Sequence, residues 1–188
     1  MHTLAPPSPW VQRFAGLLKP GGSVLDVACG SGRHVRWLAA QGFTVTGVDR
    51  DADALATIDT QAEWVAADIE IGPWPLSGRQ FDAVVVTNYL WRPLWPTLRA
   101  ALAEGGVLIV ETFAHGQQTI GKPSRPEFLL QGGELLQACA GLRVVAYEDG
   151  FEQDPPRFVQ RIVAVNEAVN EAVALSAPPR YGLSGRAS

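Results

Sequence analysis

Val24–Asp49 reads VLDVACGSGRHVRWLAAQGFTVTGVD, and four segments follow one another in it. The apolar run Ser23–Ala28 suits a buried strand. Gly30-Ser31-Gly32 is a turn in which the backbone can reverse sharply and approach a ligand with no Cβ in the way. Arg33 to Gln41 places Val35, Leu38 and Ala39 on one helical face, and Gly42 closes the helix. Phe43 to Val48 is a second strand, ended by Asp49. A carboxylate at the end of that neighbouring strand can accept both hydroxyls of a ribose. The unit therefore predicts a nucleoside-containing ligand at the switch point of a parallel sheet.

The alternation continues on both sides. Ser8-Pro9 starts a helix over Trp10–Leu18, which Lys19-Pro20-Gly21-Gly22 stops. Asp51 caps a helix over Ala52–Asp59, and Glu63–Ala67 is a third strand ended by Asp68. Residues 70–80 form a Pro/Gly loop before the strongly β-branched strand Phe81–Thr87. Pro93–Ala103 is helical, Gly105-Gly106 turns the chain, and Val107–Thr112 is a fifth strand. Residues 113–131 form a long connection with no regular structure of its own, of the kind that covers an active site. A short helix, Glu134–Ala140, and two strands, Leu142–Glu148 and Arg157–Val165, complete the pattern. Pro155-Pro156 should interrupt pairing between those two strands. The expected fold is α/β: a Rossmann-like, doubly wound, mostly parallel seven-stranded sheet with helices on both faces and an antiparallel C-terminal strand. Residues 1–165 form one domain, and 166–188 a C-terminal extension that is at least partly disordered.

Composition narrows the function. The chain has 188 residues, 47% of them hydrophobic and 18% charged, enough apolar material for a buried core. A net charge of −4 gives no electrostatic help toward a nucleic-acid backbone, so a dedicated duplex-DNA binder is disfavoured. No apolar run reaches the length of a membrane span, and Met1–Trp10 lacks the basic start of a signal peptide. A cytoplasmic protein is expected. Cys29 and Cys139 are too few for a disulfide framework, and the widely separated His34 and His115 do not make a metal site.

Two departures choose among nucleosides. A dinucleotide fingerprint needs a third glycine where this chain has Val35. Asp26 lies inside the first strand, where its charge would repel a pyrophosphate but suits a ligand bearing an ammonium and a sulfonium. S-adenosylmethionine (SAM) has that chemistry. The ordered motifs Asp26-Val27-Ala28-Cys29-Gly30-Ser31-Gly32, Asp49, Ala67-Asp68-Ile69 and Phe81–Asn88 make the chain resemble the class I SAM-dependent methyltransferases. Its length, Thr112-Phe113, Phe128 and Gly133-Glu134-Leu135 are most similar to the small tellurite-resistance-type members.

That resemblance implies roles residue by residue. Ala28, Cys29, Gly30 and Gly32 line the methionine and ribose portions, and Asp26 faces the methionine ammonium. Asp49, with Arg50 beside it, holds the ribose hydroxyls. Asp68 accepts from the adenine amino group, and Ile69 lies against the ring. Thr87, Asn88 and Tyr89 border the methyl group. Catalytic candidates are Asn88, Tyr89 and His115, and no general base stands out, which favours an intrinsically nucleophilic acceptor. Cys29 reads as a small residue filling the turn, and Arg33 and Arg36 as a solvated helix face. Trp74 and Trp91 either wall an acceptor pocket or pack beneath loops. The leading function is methyl transfer from SAM, with S-adenosylhomocysteine as product, to a small-molecule acceptor. The alternatives are a non-catalytic SAM-binding partner protein and a nicotinamide-dependent oxidoreductase, the latter disfavoured by Val35 and Asp26.

Overall fold

The computed structural model describes residues 5–56, 58–167 and 179–183. The Ser8 hydroxyl accepts from Trp10 N and caps α1 (Pro9–Phe14), which buries Trp10, Val11 and Phe14. The elements that follow are β1 (Ser23–Val27), α2 (Arg33–Ala40), β2 (Thr44–Asp49), α3 (Ala52–Ala56), β3 (Glu63–Ala66) and β4 (Phe81–Thr87). Then come α4 (Trp95–Ala100), β5 (Leu102–Phe113), α5 (Glu134–Ala138), β6 (Arg143–Gln153) and β7 (Pro156–Val165).

The seven strands form one sheet in the order β3-β2-β1-β4-β5-β7-β6. From β3 to β5 every pairing is parallel, and β7 runs antiparallel to both its neighbours. The chain winds outward from β1 in one direction, then returns to start β4 on its other side. The carboxyl ends of β1 and β4 therefore diverge and leave a crevice between their following loops. Leu25, Val84, Val86, Leu108 and Val110 bury one face of the sheet against Leu94, Leu98 and Leu135. Val24, Ala83, Val85, Val107 and Ile109 bury the other against Trp10, Phe14, Val35 and Leu38. Strand alternation puts Asp26, Thr87 and Glu111 on this second face, beneath α1 and α2.

Three local expectations change. Leu102 and Ala103 belong to β5 and not to the preceding helix, because Phe81 N donates to Ala101 O at 2.8 Å and Leu102 pairs with Phe81. Residues 113–131 carry two 3-10 turns, Gln117–Thr119 and Pro126–Phe128, and Ala114 bridges Leu130, so the excursion is closed on itself. Past one bulge between Val144 and Ala146, the β6–β7 ladder continues to Gln153 and Pro156, since a proline opening a strand forfeits at most one ladder bond. In the C-terminal extension, the Tyr181 hydroxyl donates to Glu167 at 2.9 Å, and Leu183 O accepts from Arg13 Nε at 3.0 Å. The repeat beyond Glu167 and the last five residues lie outside the described residues. Among those described, no helix is long and apolar enough to cross a membrane.

The second face also buries an ionic cluster that the linear sequence did not reveal. Glu111, 1% exposed, meets Arg161 at 2.6 Å and Arg157 at 3.5 Å, and both guanidiniums also pair with Glu152. Removing one member of a buried cluster leaves charge uncompensated, at a cost of about 2–4 kcal/mol where other partners remain. Glu111→Ala should therefore lower the urea midpoint of unfolding by that equivalent, and an unchanged midpoint would mean that Glu152 and Glu148 satisfy the arginines without it.

Candidate functional site

The turn after β1 is wound in the left-handed region, with Ala28 at φ +53°, Gly30 at +53° and Gly32 at +72°. The two glycines serve different purposes. A Cβ at Gly32 would meet Ile58 Cδ1 at 2.8 Å, so this glycine lets the start of α2 sit against Ile58 and Trp64. A Cβ at Gly30 would project into open space, so this glycine keeps room clear above the turn. Asp49 braces the arrangement: Oδ2 accepts from Gly30 N at 2.7 Å and Oδ1 from Asp51 N at 3.0 Å. On the next strand end, Asp68 Oδ1 accepts from Glu70 N at 2.9 Å and Ile71 N at 3.3 Å. Asn88 follows β4 at φ +55°, its N–H donated to Glu111 O at 2.8 Å.

These loops enclose a cleft of about 290 Å³ lined by Ala28, Asp49, Arg50, Ala67, Asp68, Ile69, Glu70, Asn88 and Tyr89. Three carboxylates and one guanidinium give it a negative field that favours a cationic ligand over a polyphosphate. Beside the same turn, Asp26 is 1% exposed and its Oδ2 takes no hydrogen bond. Burial pushes its carboxyl up to about 8, against a lowering by Arg33, with Asp49 adding to the rise. His34, the second residue of α2, is equally buried, and burial followed by the Arg33 charge lowers it to about 3. Its Nε2 accepts from Ser8 N at 3.0 Å, while Nδ1 lies 3.4 Å from Thr87 Oγ1 and 4.0 Å from Asp26 Oδ2.

The expected cofactor residues Ala28, Asp49, Arg50, Asp68, Ile69 and Asn88 thus lie together in the cleft, with Tyr89. Cys29 is buried with its Sγ toward Gly47, and burial, followed by the Asp26 and Asp49 charges, pushes its thiol up, as befits a filler and not a nucleophile. Thr87 is buried beneath the cleft, beside His34. Tyr89 stays protonated, because burial and then Glu70 push its pKa upward. His115 is exposed beyond β5 and outside the cleft lining, its N–H donated to Leu130 O. Arg33 corrects the solvated-face reading: it is half-buried and donates to Pro6 O at 3.3 Å and Thr87 Oγ1 at 3.5 Å. Trp74 and Trp91 pack on the core. Glu70, Ala67 and His34 went unremarked as site residues. Only the position of His34 two residues after Gly32 marked it beforehand.

Residues 24–106 match the family described as Methyltransferase domain. No curated protein matches the chain. Among solved structures, the fold is similar to TehB from Haemophilus influenzae, at 18% identity and TM-score 0.67. That match covers 81% of this chain and 60% of TehB, so this chain spans less than two thirds of TehB's length. A SAM-dependent methyltransferase from Mesorhizobium loti aligns at 18% identity and TM-score 0.62, over 81% of this chain and 95% of that one. A TehB-like SAM-dependent methyltransferase from Corynebacterium glutamicum aligns at 24% identity and TM-score 0.57, over 80% and 83%. The fold is that of these SAM-dependent methyltransferase structures, and SAM is therefore the group to test against the site. The residues present fit it, because a buried carboxylate oxygen without a partner and an acidic cleft suit an ammonium-bearing, phosphate-free nucleoside.

Two predictions follow from the acids. Asp49→Ala should weaken S-adenosylhomocysteine binding about 10–150-fold by calorimetry, the loss of a charged acceptor from paired hydroxyls. Unchanged affinity would remove Asp49 from the site. Asp26, raised to about 8, holds a proton at pH 7, and an arriving ammonium favours its charged form. Binding should therefore release protons at pH 7 and tighten as pH rises toward 8. In the free protein the sign reverses. The protonated carboxyl stabilises the fold at low pH, and that contribution is lost as pH rises from about 4 to about 8. His34, lowered to about 3, opposes this by destabilising the fold as pH falls below about 6.5. Calorimetry in buffers of different ionisation enthalpy counts the released proton, and none would place Asp26 away from the ammonium.

Proposed function

We propose that the protein transfers a methyl group from SAM to a small-molecule nucleophile in the cytoplasm. The observation that carries this reading is the unpartnered carboxylate of Asp26 beside a glycine turn and an acidic, nucleoside-sized cleft. When bound, SAM supplies an electrophilic methyl on a sulfonium that needs no further activation. The chain's own residues hold and orient. Asp26 faces the methionine ammonium, Asp49 takes the ribose hydroxyls, and Asp68 receives the adenine amino group with Ile69 against the ring. Thr87, Asn88 and Tyr89, at the carboxyl end of β4, border the reacting carbon.

For the acceptor, a second cleft of about 490 Å³ opens beyond the carboxyl end of β5, lined by Phe113, Lys122, Pro123, Ser124, Arg125 and Phe128. It belongs to the strand next to β4, and the Asn88–Glu111 hydrogen bond joins the two strand ends. Its size and aromatic walls suit a small molecule. The closed excursion 113–131 supplies those walls and supports a role in excluding water from the transfer. Neither Tyr89 nor His115 is poised as a base: Tyr89 keeps its proton, and His115 is outside the lining of both clefts. That arrangement favours an acceptor already nucleophilic at neutral pH, such as a thiolate or another soft anion.

The test is turnover of SAM with a panel of small thiols, amines and phenols, followed by product S-adenosylhomocysteine. Turnover with the soft nucleophiles is expected, and Phe128→Ala should raise KM for the acceptor about 5–50-fold while leaving S-adenosylhomocysteine affinity unchanged. Tight SAM binding without turnover of any acceptor would favour the non-catalytic alternative. Steeply salt-dependent RNA or DNA binding would overturn the small-molecule reading.

A further inference from the structure

We infer that His34 is a positioning residue that holds the N-terminal segment against the glycine turn and presents an N–H to Asp26, so that cofactor recognition through the ammonium depends on it. The inference rests on the SAM reading above and adds a residue outside the cleft lining.

A backbone N–H can only donate, so the Ser8 N–H at 3.0 Å fixes Nε2 of His34 as an acceptor. A neutral ring then carries its proton on Nδ1. That N–H points into a space bounded by Thr87 Oγ1 at 3.4 Å and Asp26 Oδ2 at 4.0 Å. Asp26 Oδ2 has no hydrogen-bond partner, and a buried carboxylate oxygen left so is costly when charged. His34 Nδ1–H is a donor placed to relieve that cost when a ligand's ammonium draws the carboxylate into its charged form. Arg33, one residue earlier, donates to Pro6 O, so the first two residues of α2 together hold residues 6–8. The same ring therefore joins the N-terminal segment to the acid of β1. Glycine turn, acid and segment are set as one unit before any ligand arrives.

Two substitutions separate the halves of this role. Asn places its amide nitrogen where Nδ1 stands and keeps a donor toward Asp26 while losing the Ser8 acceptor. Gln reaches the Nε2 position and keeps the Ser8 contact while losing the donor toward Asp26. Two probes separate recognition of the amino-acid tail from general damage: S-adenosylhomocysteine, which carries the ammonium, and 5′-methylthioadenosine, which shares the nucleoside and sulfur but lacks it. For His34→Gln, calorimetry should give a loss of about 5–30-fold for S-adenosylhomocysteine and less than 2-fold for methylthioadenosine, the range of a hydrogen bond to a charged group. His34→Asn should stay within about 3-fold of wild type for S-adenosylhomocysteine, and its N-terminal segment should be cut faster by proteinase K. Equal losses for both probes in His34→Gln, or none, would overturn the proposal. If His34→Gln does not fold, His34→Asn decides alone: a tail-selective loss of 5-fold or more would overturn it, and retained affinity with a loosened segment would support it. Failure of the wild-type protein to bind either probe would instead overturn the SAM reading, and this proposal with it.

Discussion

Asp26 is the group around which the rest of this molecule is arranged. A carboxylate inside a parallel strand, 1% exposed and with one oxygen unpartnered, is expensive to charge. Burial answers that expense by holding the proton on, which is why its pKa rises to about 8. Such a residue lowers the stability of the free protein at neutral pH. Its position becomes favourable once a cation approaches from the cleft side, so the site is tuned to a ligand that brings positive charge.

The fold explains why the acid can occupy this position. The chain leaves β1 toward β2 and later returns to set β4 on the other side, so the carboxyl ends of β1 and β4 have no loop crossing between them. Asp26 and Thr87, on paired strands, share the sheet face beneath α2. The turn after β1 must clear this gap quickly, and the left-handed residues Ala28, Gly30 and Gly32 let it do so. Asp49 then ties the turn to the neighbouring strand through Gly30 N. Site geometry is thus a consequence of strand order together with two glycines of different purpose, one open to ligand and one packed on Ile58.

Much of this was readable in the chain. β4 matches its expected span residue for residue, and β1 to β3 fall within one residue at each end, because continuous β-branched and apolar runs bounded by Gly or Asp leave little freedom. Asp49 and Asp68 stood out as acids following apolar strands, whereas Glu70 did not. What escaped was long-range and paired. Glu111 lies 46 and 50 residues from Arg157 and Arg161, and only the β5–β7 register brings it to them. Arg33 has the local look of an exposed helical residue, and only the path of residues 6–8 over α2 covers it. Leu102 looked helical because it continues an amphipathic pattern, while its pairing with Phe81 overrides that tendency.

The donor and acceptor halves of the site differ in kind. The donor half is built from strand ends and a turn, each with a backbone requirement that narrows the residue choice, so its chemistry can be read from residue type. The acceptor cleft we propose is walled by Phe113, Lys122, Pro123, Ser124, Arg125 and Phe128, nearly all on the excursion between β5 and α5. The excursion is closed by the Ala114–Leu130 bridge, a backbone contact made by residues outside that lining. On the proposed reading, substitutions there change the acceptor cleft without disturbing the glycine turn, Asp26 or the sheet. On that reading acceptor specificity is separable from cofactor recognition, because the two clefts are lined by different loops at one sheet edge.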